Sequence, residues 1–418
     1  MTTEALSPNL PNLRFPEFLG SGDWEARPLD ELCERIGETV GDARSIPVEI
    51  SKGKGFVPQE QALGRDMSPS RYRNRTRLRR GEFAYASIRS KRFPLGAVYR
   101  LTDFEEAAVP DNLHCFRLKD GVEPAFVMGF FESNGHGRQL VRDIPSGAHG
   151  LGPLEISADS FFGIAVPVPP NAAEWRKVAE CLETLDDMIA AEKGLLDALR
   201  RHMLGLKQRL FPRTGELMPR IRFPLYQGSE RWKVVRVGDV ADYEGGAHHV
   251  EHSSGNGNGR FIVADPGFIA SGGVVAKRTN EESCIARTGD VLMSQTNLED
   301  AKALARSFLV DADDTYAVDH LVARLRPRAV DAGFLRHVLD RNSWLLSFVD
   351  GKIPKRLGKL AVMDFLIAMP PDIGEQQRIA ECLGSVETQS VARQARLDSL
   401  ERHRHGLLQQ LFPSLEIR

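Results

Sequence analysis

The sequence predicts an α+β protein built twice over: two similar β-rich heads, each followed by a long α-helix, the helices pairing as an antiparallel coiled coil. Three observations carry this. Residues 177–212 (KVAECL…LFP) recur without gaps as 378–413 (RIAECL…LFP), and 16 of the 36 positions are identical. The segment RFPEFLGSGDW (14–24) recurs as RFPLYQGSERW (222–232), which places Arg14, Phe15, Pro16, Gly20, Ser21 and Trp24 on Arg222, Phe223, Pro224, Gly228, Ser229 and Trp232. RRGEFAYAS (79–87) and ARTGDVLMSQ (286–295) align at the same offset, with Gly81 on Gly289 and Glu82 on Asp290. A period this long is a duplicated two-part unit rather than a solenoid repeat. If the two helices run antiparallel, the heads point opposite ways about a pseudo-two-fold. The division expected is 1–170 and 213–371 for the heads, 171–212 and 372–418 for the helices.

Each element has its own signal. ARTGDVLMS, GRFIVAD and DHLVARLRP are short apolar runs bounded by Gly, Asp and Pro, and read as strands. FFGIAVPVPP and DFLIAMPP read as strands stopped by proline. The pairs Pro169-Pro170 and Pro370-Pro371 then mark the hinge before each helix.

In the first helix Val178, Leu182, Leu185, Ile189, Leu196, Leu199, Met203, Leu206 and Leu210 follow steps of three and four, with one longer step over Glu192. That is a heptad seam, which keeps one stripe toward a partner helix. In the second, Ile379, Leu383, Val386, Leu397, Leu400, Leu407 and Leu411 do the same, interrupted by Ser390, Arg393 and Arg404. Each rod is roughly 50 Å long at 1.5 Å rise per residue. A seam can also pack on its own domain, but two matched seams in one chain favour each other. Antiparallel pairing with aligned midpoints puts Glu192 near Arg393 and Arg396, a polar contact that can fix register.

Composition narrows the class. The chain has 418 residues, a net charge of −2 and five cysteines without a C-x-x-C pair. An odd, unpaired set suits a reduced cytoplasmic compartment and argues against a disulfide frame or zinc knuckle. Cys181 and Cys382, at matching helix positions, read as small buried residues. No signal peptide and no membrane span are expected.

The distribution of charge says more than its sum. Arg71, Arg73, Arg75, Arg77 and Arg79 stand two apart, so on a strand all five share a face. With Arg80, Arg89, Lys91 and Arg92, residues 71–92 hold nine bases against one acid, Glu82. Like charges in a row repel. A polyanion such as DNA would neutralise them, and arginine can also read guanine edges. A solvated face or an acidic protein are the other readings. Loss of DNA affinity is therefore expected from Arg75→Ala and Arg77→Ala.

The second head offers Lys352, Lys355, Arg356 and Lys359, and a Gly-rich loop 245–260 ending at Arg260. Gln295 and Asn297 could pair with adenine, or belong to an ordinary turn. His248, His249 and His252 give H-H-x-x-H, but without an acidic or cysteine partner pattern a polar loop is the better reading than a metal site. No phosphate loop, dinucleotide fingerprint, nucleophile elbow or amino-methyltransferase motif occurs. No catalytic residue and no cofactor are assigned to this chain.

The repeated RFP…W opening, the Gly-Asp/Glu turn, the proline stop and the LFP-ended helix together resemble the specificity subunit of type I restriction–modification systems. GEQQRIAECL (374–383) is similar to the family's second-repeat signature, whereas AEWRKVAECL (173–182) keeps Glu174 but replaces two glutamines by Trp175 and Arg176. The resemblance implies that the heads are target-recognition domains, each reading half of a split asymmetric site in double-stranded DNA. It implies that the helices set the gap between half-sites and dock two copies of a modification (methyltransferase) subunit. S-adenosylmethionine would sit on that partner, with ATP and magnesium where restriction subunits join. Candidate DNA contacts are Arg71, Arg73, Arg75, Arg77, Arg79, Arg89, Lys91, Arg92, Arg260, Gln295, Asn297, Lys352, Lys355 and Arg356. Candidate pairing and docking residues are Leu182, Leu185, Ile189, Glu192, Leu196, Leu199 and Met203 with Leu383, Val386, Arg393, Leu397, Leu400 and Leu407. The rival readings are a methylation-only specificity protein, a coiled-coil scaffold that binds no DNA, and an enzyme with an unrecognised site, which a chelator-sensitive activity dependent on His248, His249 and His252 would support.

Overall fold

The computed structural model describes residues 10–43, 45–51, 55–63, 72–90, 93–141, 155–213, 215–249, 259–296, 303–347 and 356–413. It is α+β and divides into two compact units, Met1–Lys193 with Ala395–Arg418, and Gly194–Gln394. Among the described residues no helix is long and apolar enough to cross a membrane.

In the first unit an opening strand, Glu25–Pro28, pairs antiparallel with a closing strand, Ala165–Val168. Between them lies a sheet ordered Cys33–Ile36, His114–Leu118, Phe83–Ala86, Ala97–Arg100, and a second ordered Gly55–Pro58, Ile46–Ser51, Glu106–Val109, Thr76–Arg79. The second unit follows the same plan. Lys233–Arg236 pairs antiparallel with Leu366–Met369. One sheet runs Ala241–Gly245, Val322–Pro327, Val291–Ser294, Ser307–Leu309, and the other Lys277–Thr279, Phe261–Ala264, Tyr316–Val318. The second sheet of each unit contains one parallel pair at the same place in the order. The first unit adds one strand, Thr76–Arg79, where the second has only the bridge from Ile285 to Ala317.

The repeated Gly-acid turn has a local cause. Gly81 and Gly289 take φ of 90° and 87°, a region that favours glycine. The following carboxylate then accepts from the backbone two residues before that glycine: Glu82 from Arg79 N at 2.7 Å, Asp290 from Arg287 N at 2.9 Å.

The long helices span Ala172–Leu210 and Ile373–Leu411. Asn171 and Asp372 cap them, accepting from Ala173 N at 2.8 Å and Gly374 N at 2.7 Å. Three residues further on, Glu174 and Glu375 are buried, 1% and 0% exposed. Arg14 grips Glu174 with two bonds of 2.6 and 2.7 Å, and Trp24 Nε1 donates to the same carboxylate at 3.1 Å. Arg222 grips Glu375 at 2.7 and 2.7 Å, and Trp232 Nε1 donates at 3.4 Å. The recurring Arg and Trp of the opening segments are therefore one clasp, locking each head to the first turn of its following helix. Where the helix openings differ in sequence, one bond is conserved by other means. The Trp175 indole donates to Pro169 O at 2.7 Å, and the Gln376 amide to Pro370 O at 2.8 Å.

The LFP ends close the units crosswise. Phe412 packs on Phe126 with ring centroids 5.1 Å apart, in the core that also holds Trp24, Leu182, Leu408 and Leu411. Phe211 packs on Phe334 at 5.6 Å, beside Trp232, Leu210, Ile379 and Leu383. Each head is thus closed by the start of its own helix and the end of the other. The first core depends on close approach, since a Cβ on Gly129 would meet Leu182 and Phe412 at 2.7 Å.

Candidate nucleic-acid interface

Only part of the arginine row is a strand. Thr76–Arg79 alternates buried and half-buried, so Arg77 and Arg79 do share a face, whereas Arg73 and Arg75 lie in the preceding turn. Arg71, Lys91 and Arg92 lie outside the described residues. The row is not left to repel itself. Arg73 pairs with Asp42, Arg75 with Glu49 at 2.7 Å, and Arg77 with Glu38 and Glu106 at 3.0 and 3.3 Å. Arg79 pairs with Glu38 at 3.0 Å and Arg80 with Glu105 at 2.8 Å. These acids come from elsewhere in the chain, so the window 71–92 understates the negative charge around the row.

The pairs are unequal. The side chains of Arg75 and Arg77 are 15% and 19% exposed, those of Arg73 and Arg80 53% and 49%. Arg75 also donates to Val48 O at 3.0 Å. Arg75 and Arg77 hold the sheet together, and the outward cations are Arg73, Arg79 and Arg80. Arg89 is half-buried beyond the strand Phe83–Ala86.

In the second head Asn297, Lys352, Lys355 and His252 lie outside the described residues. Gln295 is not a free reader: its amide nitrogen donates to Tyr243 Oη at 2.8 Å and to Leu357 O at 3.0 Å. Arg260 is exposed and pairs with Glu282 at 2.6 Å. Arg356 is exposed and bridges to Thr296. His248 stacks on His320 at 3.6 Å, and a ring nitrogen of His249 lies 3.0 Å from Val318 O. Among the described residues no three His, Cys, Asp or Glu side chains could hold one metal ion. Burial pushes the Cys33 and Cys115 thiols up to about 12, so neither is a nucleophile at neutral pH. Cys181 and Cys382 are half-buried.

The helix seams are largely as spaced. Leu182, Leu185, Ile189, Glu192 and Leu196 are buried on the first helix, and Leu383, Val386 and Leu397 on the second. Leu199, Met203, Arg393, Leu400 and Leu407 are half-buried. The deepest contact near the second LFP is Leu408, which the heptad spacing passes over. Within the first unit the helices are antiparallel. Arg396 meets Glu192 at 2.9 Å, Lys193 meets Glu401 at 2.8 Å, and Arg404 meets Asp186. Within the second, Arg200 donates to Gln394 at 3.2 Å.

Sequence reasoning missed one constellation. In the first unit Arg404 joins Glu132 of the head and Asp186 of the first helix. The repeat offsets map Glu132, Asp186 and Arg404 onto Asp340, Glu387 and Met203. The second unit keeps both acids but lacks that arginine. Its guanidinium comes from Arg336, which grips Glu387 and corresponds to Met128 of the first head. Arginine and methionine have changed places between head and helix. Asp340 is served by Lys207 at 3.4 Å and Arg306 at 3.7 Å. The signal was present in Arg404, which breaks an apolar seam.

No protein-family model matches the chain. No curated protein matches it. Solved structures do. The chain is similar to the S subunit of a type I restriction–modification system from M. genitalium, with 14% identity, a TM-score of 0.62, and coverage of 96% of this chain and 99% of that one. It is also similar to a chain from work on complex assembly and conformational transition of the type I R-M system, with 19% identity, a TM-score of 0.51, and coverage of 98% and 99%. The likeness is one of fold. It extends over both units and both long helices.

Two buried histidines are expected to make this fold sensitive to acid. His136 is fully buried among Tyr85 and Phe131, with a ring nitrogen 3.1 Å from Gly96 O. His337 is buried in the second unit beside Arg336 and Lys207. Burial holds both near neutral form and lowers each to about 4; at His337 the two cations add to the effect. A depressed histidine stabilises fully above its unfolded value near 6.5, and that stability is lost as pH falls toward 4. Each contributes up to about 3 kcal/mol across this window. Denaturant midpoints should fall steeply from pH 6.5 to 4. If His136→Gln and His337→Gln variants show the same steep fall, these histidines are not its source.

Proposed function

We propose that this chain is the DNA-recognition subunit of a type I restriction–modification complex. One observation carries the reading: two units of shared strand order, closed crosswise by two long antiparallel helices, match an S subunit along nearly its whole length. Each head would read one half of a bipartite, asymmetric site. The helices would set the spacing and dock two methyltransferase subunits. The chain itself would be non-catalytic, with S-adenosylmethionine held by the modification subunit and ATP with magnesium by any restriction subunit. A cytoplasmic location follows from that role.

Arg73, Arg79 and Arg80 are the cations of the first head able to meet phosphate, because their acid partners are exposed and exchange at little cost. Mutating Arg73 and Arg80 together to alanine should lower the log–log salt slope of DNA binding by about 2, at roughly 0.9 per contact. Stability should stay within about 1 kcal/mol. Arg75→Ala should instead destabilise the head by about 1–3 kcal/mol through its lost bonds. An unchanged salt slope in the double variant would remove this face from the interface.

The deciding experiment is methylome sequencing of cells carrying this chain with and without a modification subunit from the same genome. A split motif with methylated adenine on both strands, dependent on both proteins, supports the proposal. No methylation from an assembled complex sinks it. A specific observation favours a second reading, a scaffold without DNA binding: each described arginine from Arg73 to Arg80 already faces a carboxylate. A scaffold would show no steep salt dependence toward duplex DNA.

A further inference from the structure

The junction between the halves carries a charge that neither the fold nor the heads account for. Residues 207–236 contain eight Lys and Arg against Glu216 and Glu230. The opening of the first half, 14–28, has Arg14 and Arg27 against Glu17, Asp23 and Glu25. Arg222 is consumed by the clasp, Lys207 by Asp340, and Arg236 lies near Asp364. Arg209, Arg213, Arg220 and Lys233 are exposed, and none is in an ion pair among the described residues.

The backbone brings two of these positions together within the second unit. Ile221 N donates to Arg209 O at 3.0 Å, which turns the segment back onto the helix end and sets Arg220 beside Arg209. A cavity of about 500 Å³ is lined by Lys207, Arg213, Val234 and Arg341. Arg341 is exposed, and its backbone is fixed at φ 52° by a bond from its N–H to Ala305 O at 2.8 Å. The acids facing the cavity do not cancel this charge. Asp340 is committed to Lys207, Arg306 and Ser307 N, which leaves the exposed Glu216.

Helix-dipole compensation explains cations in a last turn. It covers Lys207 and Arg209 but not Arg213, Arg220, Lys233 or Arg341. The second helix ends without any basic residue in its last turn, so the fold does not require them.

We infer that this junction is a sequence-independent grip on the phosphate backbone of duplex DNA, separate from the faces of the heads. The inference rests on the DNA-recognition reading. A polyanion fits because Arg213 and Arg341 line one cavity, Arg220 returns to Arg209 at the helix end, Lys233 is exposed next to Val234 of the cavity lining, and few acids accompany them; each phosphate contact releases counterions.

The test is the salt dependence of binding of a 40-base-pair random-sequence duplex to the full chain. An Arg213→Gln, Arg220→Gln, Lys233→Gln variant should lose about 2–3 from the log–log slope and bind at least tenfold more weakly at low salt. An unchanged slope and affinity overturn the inference, whether or not the heads bind DNA. So does a variant that keeps its DNA binding but loses association with a modification subunit, which would make an acidic protein the ligand. If the wild-type chain itself shows no salt-dependent binding, it is the DNA-recognition reading that falls.

Discussion

Arg404→Met will loosen the first unit, and Met128→Arg in the same chain will restore it. Arg404 is 14% exposed and joins three elements through Glu132 and Asp186. Removing it leaves two carboxylates facing each other, one half-buried. A fully buried pair costs about 3–5 kcal/mol to break, and the exposure of Asp186 reduces that to about 2–3. For a unit of this size the melting temperature should drop by roughly 5–10 °C. The second unit shows how the repair works. There the guanidinium stands at the position of Met128 and grips the acid that corresponds to Asp186. An arginine at 128 also lies four residues before Glu132, within reach of its carboxylate on the same helix face. The double variant should recover at least half of the lost stability. If it melts no higher than Arg404→Met alone, the two positions are not interchangeable sources of one bond. Arg336→Met with Met203→Arg makes the mirror test.

Glu375→Ala should be the most damaging single change in the second unit. The carboxylate is fully buried, and Arg222 beside it is 6% exposed. Without Glu375, Arg222 keeps Ser229 O and Glu230 O, but its charge is uncompensated and the Trp232 indole loses its acceptor. Breaking one side of such a pair costs about 3–5 kcal/mol. Replacing Arg222 and Glu375 together by leucine should cost less than either single change, because no orphaned charge remains. Denaturant unfolding of the four proteins completes the cycle. A loss below 1 kcal/mol in Glu375→Ala would mean the clasp is ornamental to stability.

Much of this architecture was legible because identical residues recur at fixed offsets. Arg14 with Arg222, Trp24 with Trp232 and the two LFP ends announced themselves as pairs before any contact was known. What they touch was not legible, since Glu174 lies 160 residues from Arg14. The arginine row misled for the same reason. Its acids, Glu38, Asp42, Glu49, Glu105 and Glu106, arrive by strand pairing and loop return, so a local window saw nine bases and one acid. Leu408 escaped the heptad because near the LFP end the helix packs on a head as well as on a helix, which widens the buried stripe beyond one seam. Arg393 and Arg404 looked alike as seam breaks, and only the fold reveals Arg404 as a junction of three elements.

The crosswise closure has a consequence for biosynthesis. The second unit is continuous, Gly194–Gln394, so every residue of its core has been made once the ribosome passes position 394. The first unit waits for Leu408, Leu411 and Phe412, translated roughly two hundred residues after Lys193. The half that emerges first is therefore the last to mature. Until then Phe126, Leu182 and Trp175 lack their covering side chains, which exposes apolar surface to chaperones and to other nascent chains. A stop codon at position 395 should spare the later half and leave the earlier one open.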